Sequence, residues 1–120
     1  MKSILIVDDD INLCKALKDE LVEVGYYTEY VNSGDDALEY LDHKAVDLIL
    51  LDLKMPKKDG FEVLQEMQQK KITSKIIVLT AYTDVKSAID SARMGANDFI
   101  SKPYDLDELL LTIKNVLQKD

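Results

Sequence analysis

The chain has little of what marks a secreted, membrane-bound or nucleic-acid-coated protein. Its one cysteine, Cys14, has no partner for a disulfide within the chain. No apolar run comes near the roughly 18 residues needed to cross a bilayer. Met1-Lys2-Ser3 opens onto only four apolar residues, Ile4 to Val7, too short for a signal-peptide core. Positive charge is scarce: 15 Lys and Arg against 23 Asp and Glu leave a net charge of −8. The short pairs Lys57-Lys58 and Lys70-Lys71 do not build the clustered basic surface that neutralises phosphates, so direct nucleic-acid binding by this domain is not expected. No tract resembles a linker, a repeat or a low-complexity segment. These absences point to a reducing, cytoplasmic setting with no membrane contact.

What is present is an ordinary globular composition, 47% hydrophobic and 32% charged over 120 residues. That length suits a single domain, residues 1–120, able to bury roughly two thirds of the surface its unfolded chain exposes. The hydrophobic period switches five times between strand-like runs and helical spacing, the pattern of a βαβ fold. Leu13, Leu17, Leu21 and Val24 recur at helical intervals up to Gly25, a residue suited to the left-handed cap. Tyr26 to Asn32 reads as a more polar edge strand. Ser33-Gly34-Asp35-Asp36 gives a capping-box signal for a helix that turns Ala37, Leu38 and Leu41 inward. Asp47 to Leu51 is apolar on both faces, as a central parallel strand must be, and a Pro- and Gly-stopped loop separates it from a helix over Phe61 to about Lys70. A strand ending at Thr80 precedes a helix from Asp84 with Ala88, Ile89 and Ala92 on its inner face and Gly95 at its end. A fifth strand spans Asp98 to Ser101, and Asp105 heads a last helix striped by Leu109, Leu110, Ile113, Val116 and Leu117.

Four of these strands run into residues suited to a phosphate or a cation: Asp8, Asp9 and Asp10; Asp52; Thr80; Lys102. In an open parallel sheet the carboxyl ends of the strands share one edge, and ligands bind in the crevice outside it. Asp8, Asp9 and Asp52 placed together repel one another and favour a divalent cation. Mg²⁺ is the natural choice, since it takes oxygen ligands and binds through one or two carboxylates plus a phosphate. Such a cation together with Lys102 offsets the repulsion between a carboxylate nucleophile and a phosphoryl group, and Thr80 adds a neutral donor. The sum is a site for an aspartyl phosphate with Asp52 as acceptor. Taken singly, Asp10 reads as a helix N-cap, Asp8 or Asp9 could complement the helix dipole, and Lys102 could be a solvated charge. It is their conjunction at four strand ends that carries the functional reading.

From end to end the chain resembles the receiver domain of bacterial two-component response regulators, and is chemotaxis-regulator-like. The resemblance rests on Ile4-Leu5-Ile6-Val7-Asp8-Asp9-Asp10, Asp52-Leu53-Lys54-Met55-Pro56 with Asp59-Gly60, Val78-Leu79-Thr80-Ala81, Gly95-Ala96 and Ser101-Lys102-Pro103. It implies an α/β fold, a doubly wound five-stranded parallel sheet of flavodoxin-like order 2-1-3-4-5 with helices on both faces. It implies that Asp52 is phosphorylated from a phosphohistidine on a sensor histidine kinase or phosphotransfer protein. Asp8, Asp9, Asp52 and the backbone carbonyl of Lys54 would hold Mg²⁺. Thr80 would donate to the phosphoryl group, Lys102 would pair with it, and the Lys102-Pro103 bond would be cis. Thr80 and Phe99 would act as the switch that alters the surface of the fourth helix, fifth strand and last helix. Lys54 and Tyr82 occupy the positions that in receivers modulate hydrolysis of the phosphoryl group. The resemblance further implies a protein that catalyses only its own phosphorylation and dephosphorylation, a downstream target or output domain, and room for a dimer formed on phosphorylation.

Two alternatives bear on this reading. The chain could be the receiver portion of a longer DNA-binding transcriptional regulator. A phosphohydrolase of the haloacid dehalogenase type also uses a strand-end Asp, Mg²⁺ and Lys, but wants a second Asp two residues on, where this chain has Lys54. His43, among charged neighbours, reads as a solvated surface residue, and Cys14 as a small residue packed on the first helix.

Overall fold

The computed structural model describes residues 1–119. Its order is β1 (Ser3–Val7), α1 (Ile11–Glu23), β2 (Tyr27–Val31), α2 (Gly34–His43), β3 (Leu48–Leu51), α3 (Gly60–Gln69), β4 (Lys75–Thr80), α4 (Val85–Arg93), β5 (Asp98–Ser101) and α5 (Leu106–Gln118). All strand pairs are parallel, in the order β2-β1-β3-β4-β5. β1 therefore lies between β2 and β3, and the order reverses there, opening the crevice in which an α/β sheet binds its ligands. The α/β class, the 2-1-3-4-5 order and the edge position of β2 agree with the sequence reading. Among the described residues no helix is long and apolar enough to cross a membrane.

Period-two alternation sorts the strand residues between two cores. Leu5 and Val7, Ile49 and Leu51, Ile76 and Val78 point to one face, packed with Ala37 and Leu38 of α2 and Val63, Leu64 and Met67 of α3. Ile4 and Ile6, Leu48 and Leu50, Ile77 and Leu79 point to the other, packed with Cys14, Leu17 and Leu21 of α1 and Leu109, Ile113 and Val116 of α5. A strand covered on both sides has no polar face, which is why β1, β3 and β4 read as unbroken apolar runs.

Three local expectations are corrected. Val24 does not join the α1 stripe; it is the C-cap, 51% exposed, because the chain leaves the helix for Gly25 at φ +107°. On α4 the inward residues are Ser91, buried, and Ala88, half-buried, while Ile89 and Ala92 face solvent. Ser91 tolerates burial because its hydroxyl donates to the Ala88 carbonyl at 3.0 Å, and its small side chain lets the helix lie close. At α2 the forward half of the capping box forms, with Ser33 Oγ accepting from the Asp36 amide at 3.1 Å. The reciprocal box forms at α3 instead, between Asp59 and Glu62, whose extra methylene lets it reach back to the Asp59 amide.

Candidate functional site

The strand ends deliver their side chains to one cleft of about 560 Å³, lined by Asp8, Asp9, Asp52, Lys54, Ala81 and Lys102 among others. Asp8 follows β1 and is almost fully buried; its Oδ1 accepts from the Asp10 amide at 2.9 Å, and its Oδ2 from Lys102 Nζ at 2.6 Å. Asp52 follows β3, is likewise buried, and takes the Lys54 amide on Oδ1 at 3.1 Å with Lys102 Nζ 3.4 Å from Oδ2. Asp9 is exposed at the mouth, and Asp10 caps α1 by accepting from the Leu13 amide. The loop after Asp52 folds back tightly at Gly60, whose amide donates to the Leu53 carbonyl at 3.0 Å. A Cβ on Gly60 would lie 2.5 Å from the Asp52 carbonyl oxygen and 2.6 Å from Leu53 Cα, so this approach requires glycine. Lys102 arrives from β5, its amide donating to the Thr80 carbonyl at 2.8 Å, and the Lys102-Pro103 peptide is cis.

Burial pushes the Asp8 carboxyl above its ordinary range; the Lys102 hydrogen bond and the Asp10 amide oppose that rise, and the Asp52 charge adds to it. Burial also works against the Lys102 ammonium, yet its hydrogen bond to Asp8 and the charges of Asp8 and Asp52 outweigh this and hold it above the ordinary lysine value. Lys102 is therefore a firmly protonated cation between two buried carboxylates. Asp8, Asp9 and Asp52 each offer one carboxylate oxygen, and the three atoms lie within 4.8 Å of one another. Three carboxylates against one ammonium leave net negative charge, and the donors are all hard oxygens. This set fits a small divalent cation such as Mg²⁺ and would suit a thiophilic metal poorly.

The other expected residues lie around this centre. Thr80 is fully buried; its Oγ1 accepts from the Tyr82 amide at 3.3 Å, and Ala81 rather than Thr80 forms the cleft wall. Phe99 is half-buried on β5, packed against the α2–α3 core. Lys54 is exposed and lines the cleft, and Tyr82 is exposed without lining it. His43 is exposed, with Nδ1 2.9 Å from the Glu39 carbonyl. Cys14 is buried, and its thiol is pushed up to about 12, first by burial and then by Asp8 and Asp10, so it is not a nucleophile. Sequence reasoning missed Asn32, whose Nδ2 donates to the Asp8 carbonyl at 2.8 Å. The signal was there: Asn32 follows the end of β2, the one strand end left out of the site.

The model of the response regulator receiver domain matches residues 4–114. The regulatory protein AtoC of Escherichia coli is 38% identical over 96% of this chain and 25% of its own length. The transcriptional regulatory protein DltR of Streptococcus agalactiae is 35% identical over 92% of this chain and 50% of its own. The chain thus spans between a quarter and a half of these relatives. The response regulator TrrA of Thermotoga maritima, solved in complex with Mg²⁺ and BeF, superposes with a TM-score of 0.87 at 39% identity, covering 97% of this chain and 99% of that one. With its strand order, its acidic cleft and a match over nearly its whole length, the chain belongs to the response regulator receiver domain family.

Proposed function

We propose that Asp52 accepts a phosphoryl group from a phosphohistidine on a sensor histidine kinase or phosphotransfer protein, and that its modification switches the surface of α4, β5 and α5. The observation that carries this is the Lys102 ammonium set between Asp8 and Asp52, at 2.6 and 3.4 Å, beside three carboxylates converging within 4.8 Å. In the transfer an Asp52 carboxylate oxygen bonds to phosphorus while the P–N bond breaks, and the departing imidazole keeps the electron pair. Asp8, Asp9, Asp52 and the Lys54 backbone carbonyl would hold Mg²⁺, which when bound offsets the charge on the phosphoryl oxygens. Lys102, already protonated, exchanges part of its contact with Asp52 for a phosphoryl oxygen. Thr80 lies behind the cleft wall, so donation from its hydroxyl requires a movement of the β4 end, with Phe99 turning inward to fill the space behind it. The domain catalyses only its own phosphorylation and dephosphorylation and, with its net charge of −8, does not itself bind nucleic acid. We read residues 1–120 as one receiver domain, although Asp120 lies outside the described residues.

Asp52→Asn keeps the shape of the side chain and removes the nucleophile. Acetyl phosphate should label the wild type with one phosphoryl group per chain and leave Asp52→Asn unlabelled by intact mass spectrometry; full labelling of the variant would move the acceptor elsewhere. The partial coverage of AtoC and DltR supports a second reading of context, in which this is the receiver portion of a longer DNA-binding transcriptional regulator. A dehalogenase-type hydrolase is not favoured, since the position two residues after Asp52 holds the exposed Lys54 rather than an acid.

A further inference from the structure

β1 ends at Val7 and α1 begins at Ile11, so the backbone carbonyl of Asp8 falls between the sheet ladder and the helix. Two side chains supply what the repeating structure does not. Asn32 Nδ2 donates to this oxygen at 2.8 Å, and Cys14 Sγ at 3.4 Å; the two donors lie 3.6 Å from each other. On the other side of the same residue, the Asp8 amide donates to the Val31 carbonyl at 3.2 Å. Consecutive residues at the end of the edge strand therefore grip both polar groups of the Asp8 backbone.

The carbonyl so held belongs to the planar Asp8–Asp9 peptide, and that plane fixes the relative placement of two of the three converging carboxylates. If it were free to rotate, the Asp8 side chain would leave its contacts with Lys102 and the Asp10 amide, and Asp9 would swing away from the mouth. An amide is well suited to hold it, because Asn32 offers two fixed donors, whereas a thiol is a weak one and leaves Cys14 the lesser partner. A partner that orients a ligand from behind usually matters to a metal nearly as much as the ligand.

We propose that Asn32 is a positioning residue for the acidic site, clamping the Asp8–Asp9 peptide with Cys14 as a secondary donor so that both carboxylates face Asp52. This rests on reading Asp8, Asp9 and Asp52 as the Mg²⁺ site. Three variants test it. Asn32→Leu keeps the branched shape and removes the donor, and Cys14→Ala removes the weaker one. Thr28→Val deletes a hydrogen bond on the same strand, from Thr28 Oγ1 to the Tyr26 carbonyl, remote from the cleft. Mg²⁺ is titrated calorimetrically into each metal-free protein at a temperature where all are folded. Asn32→Leu should weaken Mg²⁺ binding about tenfold, Cys14→Ala should weaken it less, and Thr28→Val should leave it unchanged while lowering Tm. Hydrogen exchange at the Asp10 amide, which donates to Asp8 Oδ1, should quicken in metal-free Asn32→Leu and not in Thr28→Val. Unchanged affinity and unchanged Asp10 exchange in Asn32→Leu, or equal weakening by Thr28→Val, overturns the clamp. If Asn32→Leu does not fold, Asn32→Ser carries the same comparison with a shorter donor and an intermediate effect. Should the wild type itself bind no Mg²⁺, the metal reading falls, and Asp10 exchange alone decides whether Asn32 holds the peptide.

Discussion

Lys102 is the residue on which the charge balance of the cleft turns. Removing one partner of a buried ion pair costs about 3–5 kcal/mol, and its 18% side-chain exposure argues for the lower end. The same removal takes a repelling charge away from the metal position. Lys102→Ala should therefore lose several degrees of Tm in metal-free buffer and regain more of them than the wild type in millimolar Mg²⁺, as read by thermal melts. Phosphorylated Lys102→Ala should leave the α4–β5–α5 surface unswitched, which nuclear magnetic resonance shifts of α5 amides would record. At the opposite end of the sheet, Asp47 accepts from the Ser3 amide at 2.8 Å and the Ser3 hydroxyl at 3.1 Å. The Ser3 amide bond is the largest influence on this carboxyl; burial, next in size, opposes it, and the Ser3 hydroxyl with the charges of Lys2 and the amino terminus tips the balance, holding the carboxyl below the ordinary 3.8. A depressed carboxylate stabilises the fold above its unfolded pKa and loses that contribution as pH falls through the folded one. The stability gap between wild type and Asp47→Asn should thus stay level from pH 7 to about 5 and close below 3.8, measured by denaturant unfolding across pH.

Among the elements, the loop after β3 is the least replaceable. Gly60 is the first residue of α3, where alanine would favour the helix by about 1 kcal/mol. The added Cβ would meet backbone at 2.5 and 2.6 Å, which cannot rotate aside as a flexible side chain can. Forced overpacking costs about 1–3 kcal/mol, so the clash outweighs the propensity. Gly60→Ala should be destabilised by urea unfolding and label more slowly with acetyl phosphate, because the relief moves Asp52. α4 lies at the other extreme. It buries only Ser91, and Val85 and Ile89 stand 74% and 46% exposed. A helix so thinly packed can shift at small cost, which suits the element that would report a change at Thr80. Apolar spacing places Ala88 inward correctly but misplaces Ile89 and Ala92, because here the small side chains of Ala88 and Ser91 decide which face the backbone brings close to the sheet.

For the whole molecule, crowded carboxylates in metal-free protein make folding a linked function of cation concentration. A ligand at 100 times its Kd adds about 2.7 kcal/mol to stability. Millimolar Mg²⁺ should raise Tm by several degrees in the wild type and by much less in Asp8→Asn, and equal shifts in both would argue for unspecific screening. Much of this was legible in the sequence. Unbroken apolar runs at β1, β3 and β4, broken by helical spacing, can be satisfied only by a sheet covered on both faces. Parallel connections then bring every strand's carboxyl end to one edge, so the grouping of Asp8, Asp52 and Lys102 follows from local pattern and connectivity. Tertiary structure alone decided the rest, because those choices depend on distances between segments remote along the chain. It set the Thr80 hydroxyl behind Ala81, turned Ile89 outward, and brought the Asn32 amide onto a carbonyl 24 residues earlier in the chain. Periodicity tells a residue which face it is on; only packing decides which backbone oxygen its side chain meets there.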